Sequence, residues 1–250
     1  TKSTLQLDQT EELTLIKENV RFYQLICALE LGDSDAEGKF LKYIKDYPAS
    51  ANSKAAYFQI GRSYYAKKDY AKAIEWFQKI ESKNLAGAEN IEYRFKLAYA
   101  QFMTNDYVSS KPLFAKLKDE KGQYQEASIY YYAYLSYLDA EYKTALNEFQ
   151  RLEGSKTYEN SYPYYITALY FLDKRYDDVL SYALPILERT KQENETDMFR
   201  IIAATYFIKG DLAQSKSFYD KFQAQDQGKT QNNQDSYQIG YIAYKLGDYE

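Results

Sequence analysis

The sequence predicts an all-α chain built as a solenoid of antiparallel helix pairs. Three observations carry that expectation. Tyr70, Tyr107, Tyr142, Tyr176, Leu212 and Tyr249 recur at intervals of 37, 35, 34, 36 and 37 residues. Within each interval the apolar residues follow the 3, 4 and 7 spacing of a helical face and not the alternation of a strand. Glycine (10) and proline (4) are too scarce among 250 residues for a fold full of tight β-turns.

The clearest unit runs from Tyr57 to Ile80. Tyr57, Ile60, Gly61 and Tyr64 share one face of a first helix, and Tyr70, Ala73, Ile74, Phe77 and Ile80 share one face of a second. Asp69 stands between them as an N-cap, a carboxylate able to accept from an orphan N–H of the second helix. Gly61 and Ala73 are small enough for two backbones to approach, and Phe77 is the bulky residue that fills the space beside them.

The same register continues along the chain. Three residues after each recurring tyrosine stand Ala73, Ser110, Ala145, Val179 and Ser215; seven after stand Phe77, Phe114, Phe149, Ala183 and Tyr219; ten after stand Ile80, Leu117, Leu152, Ile186 and Phe222. In the first helices, Gly61 is matched by Ala98, Ala133, Thr167, Ala203 and Gly240, and Ile60 by Leu97, Tyr132, Ile166, Ile202 and Ile239. Aspartates Asp69, Asp106, Asp211 and Asp248 precede four of the second helices. Gly210 and Gly247 suit the left-handed residue that ends a helix. One helix pair cannot bury its faces alone, so stacked neighbours are required.

The remaining elements follow in order. Residues 1–10 read as a polar, frayed end. A long helix is expected over Glu11 to Leu31, with Leu13, Ile16, Val20, Tyr23, Ile26 and Cys27 as its apolar face and Cys27 a buried structural thiol. Gly32 to Asp35 ends it and caps a helix over Ala36 to Tyr47, whose stripe is Phe40, Tyr43 and Ile44; Pro48 stops that helix. Asp33 to Gly38 opens like a calcium loop, but Ile44 stands where the bidentate glutamate is needed, so these residues are assigned to helix capping. Kinks are expected at Pro112 and Pro185, whereas Pro163 falls in a tolerant first turn. Gln223 to Ser236 reads as the longest and most mobile loop. Asn194-Glu195-Thr196 is formally a sequon and marks a surface turn.

Composition excludes several function classes. Lys and Arg total 32 against 36 Asp and Glu, a net charge of −4 with no basic cluster, so no nucleic-acid partner is expected. The longest apolar run, near Ile201 to Ile208, is too short to insert in a membrane. The chain has no histidine and one cysteine, which removes histidine-dependent triads, disulfide frameworks and zinc sites that need histidine. No Gly-rich phosphate loop or nucleophile elbow is present, and the paired carboxylates Glu11-Glu12 and Asp177-Asp178 diverge on a helix. No enzyme, metal or cofactor is expected. Thirty tyrosines against one tryptophan suit a thin array with much half-buried surface, because tyrosine buries a ring while its tip stays wet.

A period near 34, with Tyr57-x-x-Ile60-Gly61-x-x-Tyr64 followed by Ala73-x-x-x-Phe77, resembles the tetratricopeptide repeat. Tyr57 stands in place of the usual tryptophan, and later units keep size better than identity. The resemblance implies a right-handed superhelical solenoid with repeats near 17–50, 54–87, 91–124, 126–159, 160–193, 196–229 and a seventh, 233–250, cut off at Tyr249-Glu250, so a longer multi-repeat protein is expected. Phe40 to Tyr65, with Tyr47-Pro48-Ala49-Ser50 in it, is also similar to repeats of Gram-negative envelope proteins, implying a periplasmic or outer-membrane-associated place, with the cytoplasm as the alternative.

The family further implies a concave groove lined by one face of each first helix. In register that face carries Phe58, Arg62 and Tyr65; Phe95, Tyr99 and Phe102; Tyr130, Tyr134 and Tyr137; Tyr164 and Phe171; Arg200 and Phe207; and Tyr237, Tyr241 and Tyr244. Chaperone-binding members hold a terminal carboxylate with lysines and asparagines. Here Phe58, Arg62, Phe95 and Tyr99 occupy the matching face, so that partner is not expected. The function expected is a non-catalytic scaffold that binds a protein or peptide segment in an aromatic groove. Glycan binding by the stacked rings is the alternative, a structural spacer the third, and self-association through the open carboxy-terminal repeat a further expectation.

Overall fold

The computed structural model describes residues 2–80, 85 and 87–248, with side chains from Glu12 onward except Lys54. Thirteen helices and no strand lie among the described residues. They are α1 (Lys2–Glu30), α2 (Ala36–Asp46), α3 (Ala51–Ala66), α4 (Tyr70–Phe77), α5 (Gly87–Met103), α6 (Tyr107–Leu117), α7 (Gln125–Leu138), α8 (Tyr142–Gln150), α9 (Tyr162–Leu172), α10 (Tyr176–Arg189), α11 (Glu195–Lys209), α12 (Leu212–Asp226) and α13 (Asn233–Leu246). Contacts divide the chain into two compact units, residues 1–128 and 129–250. In the first, α1 packs on α2 and α3, α3 on α4 and α5, and α5 on α6. In the second, α9 packs on α10 and α11, and α11 on α12 and α13. The first helices α1, α3, α9 and α11 thus each touch their own second helix and the next first helix, as an array of helix pairs requires. Tyr249, the last residue of the repeat register, lies outside the described residues.

The turn inside each pair is built the same way. The N–H groups of Asp69, Asp106, Glu141, Arg175, Asp211 and Asp248 donate to carbonyls five residues earlier, at 2.8–3.0 Å. This is the Schellman bond that closes a helix end, and it needs a left-handed residue just before it. Gly210 (φ 83°) and Gly247 (φ 76°) supply it in two repeats; Lys68, Asn105, Ala140 and Lys174 supply it elsewhere at φ 59–62°. Asp69, Asp106 and Asp211 then cap the second helix, accepting from the N–H groups of Lys72, Ser109 and Gln214 at 3.1–3.2 Å.

The core follows the periodic positions. Ala73, Ser110, Ala145, Val179 and Ser215 are fully buried, as are Phe77, Phe114, Phe149 and Ala183, with Tyr219 all but so. Gly61 is the tightest contact: a methyl group there would lie 2.5 Å from Cδ1 and Cε1 of Phe77. Gly240, in the same register, is exposed with nothing within 4 Å of an added Cβ.

Four expectations are corrected. The helix starts at Lys2, nine residues before Glu11, because 2–10 contain no glycine or proline to stop it. Leu13, Ile16, Val20 and Tyr23 are exposed, and Cys27 is an exposed thiol. The core of α1 is a second stripe, Phe22, Leu25 and Leu29, with the Phe22 ring 5.9 Å from Phe40 and 5.8 Å from Tyr43. Polar bonds hold α1 in this rotation: Glu18 accepts from the hydroxyls of Tyr43 and Ser50, and Asn19 accepts from the Asn52 amide at 2.7 Å. Finally, 223–236 is mostly helical. α12 runs to Asp226, whose carboxylate accepts from the N–H groups of Thr230 and Gln231 and ties the short connection down.

α6 and α10 continue through Pro112 and Pro185. Having no N–H, Pro185 leaves the Ser181 carbonyl without its helical donor. Pro163 sits in the first turn of α9. Asp33 accepts from the Asp35 N–H at 2.9 Å and pairs with Lys39 at 2.6 Å, and Asn194 is the N-cap residue of α11.

Phe77→Ala should destabilise the chain by about 3–5 kcal/mol in urea unfolding. Gly61→Ala should cost about 1–3 kcal/mol through its clash with that ring. The two should not add: in the Phe77→Ala background the added methyl should cost almost nothing. Full additivity would show that the close approach is not a constraint.

Candidate functional site

The aromatics of the expected groove face form two repeating sets of ring pairs. The first joins a first helix to the phenylalanine of its own second helix: Phe58 to Phe77 at 6.1 Å, Phe95 to Phe114 at 6.1 Å and Tyr130 to Phe149 at 6.0 Å. The second joins the last turn of a first helix to the recurring tyrosine: Tyr65 to Tyr70 at 5.7 Å, Phe102 to Tyr107 at 5.5 Å, Tyr137 to Tyr142 at 6.1 Å and Phe171 to Tyr176 at 5.8 Å. Edge-on and offset rings at these separations attract beyond their simple burial. The regular period of the rings thus has a packing cause.

These pairs sort the expected groove residues. Phe58 is fully buried and Phe95 nearly so, the latter stacked on Tyr124 at 4.5 Å. Both belong to the core and present no surface to a ligand. Arg62, Tyr65, Tyr99, Phe102, Tyr130, Tyr134, Tyr137, Tyr164, Phe171 and Phe207 are part-exposed. Tyr241 is exposed, with its ring 5.6 Å from Phe207. In the first unit Arg62 pairs with Glu92 at 3.2 Å, Glu92 also pairs with Lys96 at 3.4 Å, and Lys96 Nζ lies 4.6 Å over the Tyr65 ring.

The second unit holds a cleft of about 240 Å³ on this face, lined among others by Tyr137, Tyr164, Phe171, Arg200, Asn232 and Gln238. Arg200 is its cation. The guanidinium meets Asp197 at 3.1 Å and Asp235 at 3.9 Å, and it donates to the Thr230 carbonyl at 3.4 Å. Asp235 is buried because it closes a capping box with Asn232 at the start of α13. The cleft therefore pairs an aromatic wall with amide and charged groups fixed by a helix start.

Sequence reasoning missed Tyr165. Its ring stacks on Phe149 at 4.7 Å and touches Tyr134 and Tyr137 at 5.7 and 5.6 Å. Gln59, Lys96, Tyr131, Ile201 and Gln238 hold the equivalent position elsewhere, so the register carried no signal for it. Asn232 and Gln238 were missed as well; the N-cap pattern Asn232-x-x-Asp235 could have marked the first.

No metal-binding cluster of three or more acidic, histidine or cysteine residues occurs among the described residues. Nor is any helix among them long and apolar enough to cross a membrane.

Comparison with solved structures decides the architecture. YrrB, a TPR protein with an unusual peptide-binding site, superposes with a TM-score of 0.59 at 16% identity, over 83% of this chain and 98% of YrrB. The chain has the tetratricopeptide-repeat fold. A TPR protein from Parabacteroides merdae ATCC 43184 matches at 0.55 and 14% identity, covering 92% of this chain and 87% of its own. pilF of Pseudomonas aeruginosa matches at 0.54 and 12%, covering 91% and 97%. No family model matches the chain. No curated protein is significantly similar to it in sequence.

Four tyrosine hydroxyls on or beside this face, those of Tyr64, Tyr65, Tyr164 and Tyr165, hold their protons above the ordinary range. Burial, followed by Tyr137 and Asp197, raises the Tyr164 hydroxyl from 10.0 to about 12. A hydrogen bond to Glu37, followed by burial, raises Tyr64 likewise to about 12. Burial also pushes Tyr65 and Tyr165 upward. A raised folded-state pKa favours the protonated form, so its contribution to stability is complete below pH 10 and is lost as pH rises through about 12. Melting temperature should therefore be level up to about pH 10 and fall steeply above it. A melting temperature unchanged at pH 11.5 would show these hydroxyls to be unperturbed.

Proposed function

We propose that this chain is a non-catalytic scaffold that binds an extended peptide or protein segment along the inner face of its first helices. The observation that carries the reading is the cleft of the second unit. There Tyr137, Tyr164 and Phe171 stand beside Arg200, Asn232 and Gln238 in about 240 Å³. Rings with polar tips are the common anchors of protein interfaces, and amides can bond a peptide backbone. The peptide-binding site of YrrB, a protein of the same fold, supports the choice of ligand class. The compartment proposed is the bacterial cell envelope, on the resemblance of residues 40–65 alone.

A random displayed peptide library panned against the chain should enrich a family of sequences. Tyr137→Ala with Phe171→Ala should weaken the enriched peptide about 30-fold while leaving the helical spectrum intact. Enrichment of no peptide, or binding indifferent to both substitutions, would overturn the reading. Glycan capture by the same chain without peptide capture would replace the ligand class.

A further inference from the structure

We propose that α1 pairs two copies of this chain through a short parallel coiled coil on its outer face. The residues are Leu13, Ile16, Val20, Tyr23 and Cys27, spaced 3, 4, 3 and 4. That spacing is the a/d seam of a coiled coil, narrower than the face a helix buries in a globular core. All five side chains are exposed, the first four by 50–63%. Leu31, one turn further on, is 87% exposed.

The seam lies opposite the side of α1 that the fold uses. Phe22, Leu25 and Leu29 pack on α2 and α3, and Glu18 and Asn19 bond Tyr43, Ser50 and Asn52. At 100° per residue the two stripes are centred about 180° apart. A second α1 can therefore lie along the seam without meeting α2 or α3 of the first. Val20, Tyr23, Gln24, Cys27, Ala28, Leu31 and Asp33 line an open groove there.

Charge selects a second copy and its direction. Glu12 and Lys17 are exposed and flank the seam. In a parallel pair with like residues in register, a flanking residue meets the one five positions on in the other helix. Glu12 then faces Lys17 of the second copy, and the pair occurs twice by symmetry. Antiparallel pairing about Val20 would set Lys17 beside Gln24 and lose both attractions. Parallel register also places the two Cys27 thiols side by side. This surface belongs to the amino-terminal helix, apart from the carboxy-terminal repeat where self-association was expected from sequence, and it is independent of the groove.

Light scattering of the purified chain should show a concentration-dependent species of twice 29.3 kDa. Ile16→Asp with Val20→Asp should return it to one chain with no change in helical spectrum, since both side chains face solvent. Glu12→Lys should raise the dissociation constant about five-fold, and adding Lys17→Glu should restore it. A short bis-maleimide should join two chains through Cys27 alone. A monomer throughout, a trimer, a dimer indifferent to Ile16→Asp with Val20→Asp, or a dimer that Cys27 does not cross-link would each overturn the proposal.

Discussion

The repeats that set a small residue against a ring depend on how closely their first helix can approach the second. At Gly61 there is no room for even a methyl group beside the Phe77 ring. In the next two repeats Ala98 and Ala133 take the small position, and Phe114 and Phe149 take the large one. Once a small residue and a ring are locked together, the rotation of the first helix about its own axis is set. The residues one turn away then have no choice of face, and the ring pairs at 6.0–6.1 Å repeat as a result. The regular aromatic face of the first helices is thus a by-product of core packing before it is anything else.

That origin explains what could and could not be read from the residues. The period, the caps at Asp69, Asp106 and Asp211, and the small and large core positions are local and repeat with the chain, so they are legible. The rotation of α1 is not. It carries two apolar stripes, and the choice between them is made by Glu18 and Asn19 reaching partners up to 33 residues away. The longer stripe won the sequence reading and the shorter one won the core. The same limit applies to Phe58, which sits on the inner face by register yet is buried because Phe77 and Tyr93 close over it. Register assigns a face; it does not say whether neighbouring rings leave that face open.

The turns show a related economy. A left-handed residue other than glycine carries a steric cost of about 1–2 kcal/mol. Lys68, Asn105, Ala140 and Lys174 all adopt that conformation, because the Schellman bond made by the next residue requires it. Glycine at Gly210 and Gly247 marked only two of the six turns. The backbone rule is constant along the chain while the residue obeying it changes, which is why the repeat keeps geometry better than identity.

The single tryptophan gives this architecture an optical reporter. Trp76 is buried in the first unit, its indole stacked on Tyr57 at 6.0 Å with the Lys79 ammonium 3.5 Å above it. Its emission follows residues 1–128 alone, whereas amide absorption follows helices in both units. Repeat arrays lose structure in nearest-neighbour steps, and their cooperativity breaks down when one interface is weak. The separation between the two signals in one denaturation curve is therefore a direct gauge of how strongly the halves of the chain are coupled.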